Sequence, residues 1–165
     1  MSIVNKAKDF AIAKHANQKY GDRPYSYHLA CVSQVLEEFG YAEDEAIAAA
    51  GWLHDTLEDT ETTYEVLMSE FGKETADIVF AVTNEPGTNR EQRLRKTALK
   101  IAANKKALIV KLADRISNTE SSLKNNSRLH QMYKKEFPLF KELLYTTLDV
   151  ELLPLWERLE SLSNK

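Results

Sequence analysis

The stretch Ala46-Ile47-Ala48-Ala49-Ala50-Gly51-Trp52-Leu53, running straight into His54-Asp55-Thr56-Leu57-Glu58-Asp59, decides how this chain is read. The first eight residues are apolar and mostly small, so they suit a buried helix that a neighbour can approach closely. The next six hold four polar side chains able to bind a metal. Positions four apart share one face of a helix, which pairs His54 with Glu58 and Asp55 with Asp59. If the helix continues through Thr56, each pair points one way. If it breaks there, the second pair sits on the following turn beside the first. Both geometries gather an imidazole and three carboxylates in a small volume at the end of an apolar helix. A divalent cation answers the resulting repulsion and burial cost.

Working outward, the 165 residues hold only 5 Gly and 4 Pro, and nearly every segment has helical spacing. Ile3, Ala7, Phe10 and Ala11 mark a first helix ending near Tyr20-Gly21. Pro24 opens a second, with Leu29, Val32, Leu36 and Phe39 inward and Gly40 as its stop. The third runs from Glu43 to Thr56. Thr62 is expected to cap Tyr64 to Phe71, with Glu65 in the reciprocal capping-box position and Gly72 as the end. Ala76 to Asn84 is helical, and Glu85-Pro86-Gly87-Thr88 breaks it. A basic helix spans Asn89 to Ala103 and another Lys105 to Thr119. Arg128 to Lys135 and Leu139 to Leu144 read as two shorter helices. Leu148, Leu152, Leu155, Trp156, Leu159 and Leu162 stripe a terminal helix, which is either internal packing or a contact with a second copy in a homodimer. The expected architecture is all-α and single-domain, with a core over about 6–135 and a terminal helix over about 146–163.

Composition narrows the function classes. A net charge of -3 gives no global field for nucleic acid or an anionic membrane, so a polyanionic ligand needs local basic clusters. One cysteine, Cys31, permits no disulfide framework and suits a reducing compartment. The N-terminus carries no apolar run of signal-peptide length, and nothing approaches the ~20 apolar residues of a membrane span. A soluble, cytoplasmic protein is the expectation.

Two other places can complete the site. Pro24-Tyr25-Ser26-Tyr27-His28 sets an imidazole near a helix start. Lys111-Leu112-Ala113-Asp114-Arg115-Ile116-Ser117-Asn118 sets a carboxylate inside an otherwise apolar helix, where burying it unpaired is costly. His28, His54, Asp55 and Asp114 form a mixed N/O ligand set that suits Mn²⁺, Fe²⁺ or Zn²⁺ and leaves positions open for water and substrate.

This order of residues resembles the HD-domain metal phosphohydrolases. Arg23-Pro24-Tyr25 ahead of His28, the run from His54 to Thr60, and Lys111-Leu112-Ala113-Asp114-Arg115 with Asn118 resemble the hydrolase domain of the RelA/SpoT family over about Lys6 to Tyr133. With no nucleotidyl-synthetase or regulatory region following, the resemblance is to the stand-alone small alarmone hydrolases. It implies an HD-type helical bundle and Mn²⁺-dependent hydrolysis of (p)ppGpp, releasing 3′-pyrophosphate and leaving GDP or GTP. His28, His54, Asp55 and Asp114 would hold the metal. Glu58 and Asp59 would orient and help deprotonate the attacking water, and Asn118 would contact the nucleotide. Lys19 and Arg23, Lys96 on the basic helix, Lys111, Arg115, Arg128 and Tyr133 are the further candidates for substrate contact.

The chain departs from the family in two places. The loop Gln18-Lys19-Tyr20-Gly21-Asp22-Arg23 is less Arg-rich and one residue shorter than in the long bifunctional enzymes, and Ser117 stands where the family has His. Both changes touch base recognition rather than the metal. The alternatives are therefore an HD phosphohydrolase acting on a dNTP or the 2′-phosphate of NADPH, and a nucleotide-binding sensor with little turnover. Among the remaining histidines, His15 is expected to be a structural hydrogen-bonder beneath the site, and His130 a surface residue. Tyr25 and Tyr27 read as pocket lining or as core.

Overall fold

A computed structural model describes all 165 residues. The chain is all-α apart from one minute ribbon, and polar caps set most helix starts. Helix α1 (Ile3–Lys14) begins where the Ser2 hydroxyl accepts from the Asn5 N–H at 3.1 Å. Strands β1 (Lys19–Tyr20) and β2 (Arg23–Pro24) pair antiparallel, and Gly21, at φ +60°, makes the turn between them. Helix α2 (Ser26–Glu38) follows. The ribbon corrects the expectation that α1 reaches Tyr20 and that Pro24 opens α2. The chain turns at His15, where the Gln18 N–H bonds the His15 carbonyl at 2.9 Å, and the fixed φ of Pro24 serves a strand.

A 3-10 turn (Tyr41–Glu43) leads into α3 (Glu45–Leu53), capped by Asp44, whose carboxylate accepts from the Ala46 and Ile47 N–H groups at 3.0 and 3.1 Å. The apolar helix stops at His54-Asp55 and a separate turn, α4 (Thr56–Asp59), restarts it. Helix α5 (Tyr64–Phe71) is capped by Thr63 rather than Thr62, because the Thr62 hydroxyl is engaged by Thr60 at 2.8 Å. Glu65 therefore stands one position short of the capping-box site. Next come α6 (Lys73–Val82), α7 (Arg90–Ala102) and α8 (Lys105–Asn125), the last running well past Thr119.

Helix α9 (Ser127–Leu144) is continuous where two short helices are expected. Pro138 lies on its exposed side, while Phe137, Phe140 and Leu144 on the packed side hold it across the proline. A second 3-10 turn (Val150–Leu152) precedes α10 (Leu153–Ser163), so the terminal helix starts later than position 146, and Leu148 is solvent-exposed.

Helices α3 and α8 are the two central elements. The first is packed by α1, α2, α6 and α8, and the second also meets α7, α9 and α10. Leu152, Leu155, Trp156, Leu159 and Leu162 are buried, and α10 packs on α8 and α9, so the leucine stripe is internal packing rather than a face for a second copy. The same folding-back buries His130, whose Nε2 donates to the Leu162 carbonyl at 3.0 Å, correcting its expected place at the surface. No helix is long and apolar enough to cross a membrane.

The small residues of α3 are needed where α2 crosses it. A Cβ on Gly51 would sit 2.6 Å from Leu36 Cδ1, and Leu36 is fully buried. Gly51→Ala should lower stability by about 1–3 kcal/mol through overpacking. Adding Leu36→Val should recover part of that loss. Urea unfolding of the two single variants and the pair measures this; strictly additive losses would show that the contact is not what matters.

Candidate active site

Three helices deliver the expected ligands to one point. His28 sits in the first turn of α2, His54 and Asp55 at the break after α3, and Asp114 midway along α8. The break matters locally. The His54 Nδ1–H donates to the Gly51 carbonyl at 2.8 Å, which turns Nε2 toward the centre of the site. Around that centre, His54 Nε2 lies 2.9 Å from Asp55 Oδ2 and 3.4 Å from Asp114 Oδ1. His28 Nε2 lies 3.1 Å from Asp114 Oδ1, 3.7 Å from Asp55 Oδ2 and 3.3 Å from His54 Nε2. His28 Nδ1 is buried with no partner, so Nε2 is this ring's only engaged atom.

Apart from the 3.7 Å between His28 and Asp55, these separations are close to those of a coordination shell. Donors about 2.1 Å from one cation, at octahedral to tetrahedral angles, stand about 3.0–3.4 Å apart. The residues present fit a divalent cation: His28, His54 and Asp55 would hold it, and Asp114, within 3.4 Å of both imidazoles, is placed to join them.

Electrostatics point the same way. Burial alone would push the His54 imidazole down, but Asp55 and Asp114 hold it well above its ordinary value. Burial would raise the Asp55 carboxyl, yet His54 and His28 bring it down to about 2, despite Asp114 nearby. Burial likewise opposes ionisation of Asp114, and Lys111 with the two histidines drives it well below the usual carboxylate range. The two carboxylates favour a protonated His54 between them, and a metal bound there would compete with that proton.

The other groups are arranged around this centre. Glu58 and Asp59, on α4, line the same cleft of about 230 Å³ as His54, Asp55 and Asp114. The Glu58 carboxylate accepts from the Asn84 N–H at 2.9 Å. Glu58 is an exposed residue, but partial desolvation of its carboxyl, with Asp55 beside it, raises its pKa even though the Asn84 hydrogen bond works against that. Asp59 accepts from Gln18 Nε2 at 3.0 Å. The same cleft is lined by Arg90, Lys111 and Arg115. One oxygen of Glu136 holds both guanidinium groups, at 3.0 Å from Arg90 and 2.8 Å from Arg115. The Tyr133 ring lies under both, with the Arg115 guanidinium 5.0 Å and that of Arg90 5.8 Å from its centroid.

Of the substrate candidates, Lys111, Arg115, Asn118 and Tyr133 line this cleft. Lys111 pairs with Asp114 at 3.2 Å, so its salt bridge and Asp114's place among the ligands coexist. Asn118 donates to Asp114 at 2.9 Å and accepts from the Tyr20 hydroxyl at 2.7 Å. The rest lie outside it. Lys96 donates to the Pro86 carbonyl at 2.9 Å, and Arg90, a turn and a half earlier on α7, stands on the cleft instead. Lys19 is exposed on β1 and Arg128 on the first turn of α9. Arg23, stacked on Tyr27, lines a separate cleft of about 540 Å³ with Tyr20.

Sequence reasoning leaves several site residues unassigned. Tyr25, read as either pocket lining or core, lines the cleft, and its hydroxyl donates to Asp55 at 2.5 Å. Asn84 carries a signal, standing at the end of a helix ahead of Glu85-Pro86-Gly87. Gln18 and Glu136 carry none, since their partners are far away in the chain.

A family model described as HD domain matches residues 7–148. The guanosine-3′,5′-bis(diphosphate) 3′-pyrophosphohydrolase MESH1 of Danio rerio is 36% identical over 121 residues, covering 71% of this chain and 67% of that protein. The guanosine-3′,5′-bis(diphosphate) 3′-pyrophosphohydrolase of Aquifex aeolicus is 36% identical over 123 residues, but the match spans only 17% of its length. Among solved structures, a metazoan ortholog of SpoT described as hydrolysing ppGpp superposes with a TM-score of 0.83 over 99% of this chain and 95% of its own. At 23% identity that likeness speaks for the fold. The protein lmo0812 of Listeria monocytogenes gives 0.68 at 26% identity, over 83% of this chain and 91% of its own. With the family match running over most of the chain, and the His and Asp ligands gathered at one point, this protein belongs to the HD-domain family.

Proposed function

We propose that this protein is a metal-dependent pyrophosphohydrolase of the cytoplasm that removes the 3′-pyrophosphate of guanosine 3′,5′-bis(diphosphate), leaving GDP, or GTP from the pentaphosphate, with Mn²⁺ in the four-ligand site. The observation that carries this reading is the placement of Glu58 and Asp59 one turn beyond the convergent ligands, in the same cleft as Arg90, Lys111 and Arg115. The names of the zebrafish and Aquifex relatives support it. A pure nucleotide sensor has no use for water-orienting carboxylates beside its metal.

A bound divalent cation would supply charge for the phosphoryl oxygens and acidify the attacking water. The chain's own groups do the rest. Glu58, its pKa raised by burial, is suited to accept the water's proton, and Asp59 holds the water's orientation. Arg90, Lys111 and Arg115 receive the charge of the departing pyrophosphate. Positioning of this kind is most of what phosphoryl transfer asks of a protein. Asn118 and Tyr20, bonded to each other, stand between the metal cleft and the larger cleft that Arg23 lines. The nucleoside is assigned to that second cleft, since about 230 Å³ is small for a whole nucleotide. Lys19, Lys96 and Arg128 have no part in this assignment.

Purified protein with Mn²⁺, offered ppGpp, GTP, dGTP and NADPH in turn, should release pyrophosphate from ppGpp alone. Orthophosphate from NADPH, products from dGTP, or tight nucleotide binding with no product would each overturn the assignment. Among variants, Asp55→Ala should lose the metal, its Mn²⁺ affinity falling more than about a hundredfold, beyond the usual effect of altering a supporting residue. Glu58→Ala should keep the metal and lose kcat by about 10²–10⁴-fold. Mn²⁺ titration followed by electron paramagnetic resonance, beside steady-state rates, separates the two; full activity in Glu58→Ala would remove it from the mechanism.

A further inference from the structure

Behind Tyr25 and Asp59 of the cleft lies a group that the mechanism above does not use. His15 is 3% exposed, at the C-terminal end of α1. Its Nδ1 is 2.7 Å from Gln18 Oε1, and its Nε2 is buried with no partner. The ring stacks on Tyr25 at 4.8 Å between centroids and 28° between planes. Gln18 in turn donates through Nε2 to Asp59 at 3.0 Å, and the Tyr25 hydroxyl donates to Asp55. The backbone fixes the segment on both sides of the ribbon. The Gln18 N–H bonds the His15 carbonyl, and the Gln18 carbonyl accepts the Tyr25 N–H at 3.0 Å.

Donor and acceptor chemistry allows one wiring of these atoms. An ionised Asp59 only accepts, so Gln18 must present its NH₂ to it. The amide oxygen then faces His15, which must donate, and so the ring proton sits on Nδ1. Nε2 is then a bare lone pair. That is the less costly group to leave buried, because a proton there would be an unpaired donor in the interior. The opposite tautomer would turn the Gln18 amide and set its oxygen against the Asp59 carboxylate.

We infer that His15 and Gln18 are positioning residues. The Nδ1–H tautomer of His15 fixes the Gln18 side-chain amide, and that amide fixes Asp59 for its work on the attacking water. This rests on the proposed role of Asp59 in hydrolysis, but the wiring itself stands apart from turnover. Tyr25 links the same assembly to Asp55, so His15 supports the ligand side by stacking and the water side by hydrogen bonding.

Two measurements test it. In the full-length chain, ¹⁵N-labelled and free of paramagnetic ions, the His15 ring nitrogens should show Nδ1 protonated and Nε2 bare. A proton on Nε2 overturns the inference. This reading needs no variant, so it stands even if a substitution unfolds the chain. In the ppGpp assay, Gln18→Ala should lower kcat roughly ten- to a hundredfold with KM little changed, as expected for a misplaced group. His15→Phe keeps the stack on Tyr25 and loses the donor, and it should lower kcat similarly. The double variant should be no slower than Gln18→Ala, because His15 acts through Gln18. Full kcat in Gln18→Ala, or losses that multiply in the double variant, would overturn the chain of contacts. A wild-type protein inert toward ppGpp would instead overturn the assigned reaction, and the ring tautomer would still decide the wiring.

Discussion

Asp55 and Asp114 approach the same two imidazole nitrogens, and two buried carboxylates can stay ionised there only with positive charge between them. That requirement organises the molecule. The carboxylates favour the charged form of His54. A divalent cation held by His28, His54 and Asp55, with Asp114 beside both imidazoles, would supply the same charge. Lys111 adds a third source of positive charge at Asp114, and Asn118 and Tyr25 bond to the carboxylates of Asp114 and Asp55. The site is thus built to keep its acids ionised whether or not a metal is bound.

The fold serves this arrangement through two central helices. Helix α3 ends at the site and is lined with small residues, so α2 comes close enough at Gly51 to bring His28 against His54. Helix α8 supplies Asp114, Lys111, Arg115 and Asn118 from successive turns, which ties the ligand, its counter-charge and the basic wall to one rigid element. The break at His54-Asp55 is what lets a single short stretch act on two fronts. It points the ligands inward and sets Glu58 and Asp59 on the next turn, at the cleft wall.

Much of this is legible in the amino-acid sequence, for a physical reason. His54, Asp55, Glu58 and Asp59 lie within six residues, so they stay together even across the helix break, and Asp114 and Asn118 lie one turn apart on one helix. The apolar surroundings of Asp114 signal that it needs partners. Long-range side-chain bonds are not legible. Gln18 reaches Asp59, Tyr20 reaches Asn118, and Glu136 reaches both Arg90 and Arg115, across separations that no periodicity reports. The ribbon at 19–24 leaves no trace because two-residue strands carry no pattern. His130 reads as a surface residue because only the return of α10 over α9 buries it.

Diffraction from crystals grown with Mn²⁺, recorded near the manganese absorption edge, tests the central claim most directly. The account predicts one strong anomalous peak bounded by the Nε2 atoms of His28 and His54 and the carboxylates of Asp55 and Asp114. No peak there, or a peak held by Glu58 and Asp59 with the histidines turned away, would contradict it.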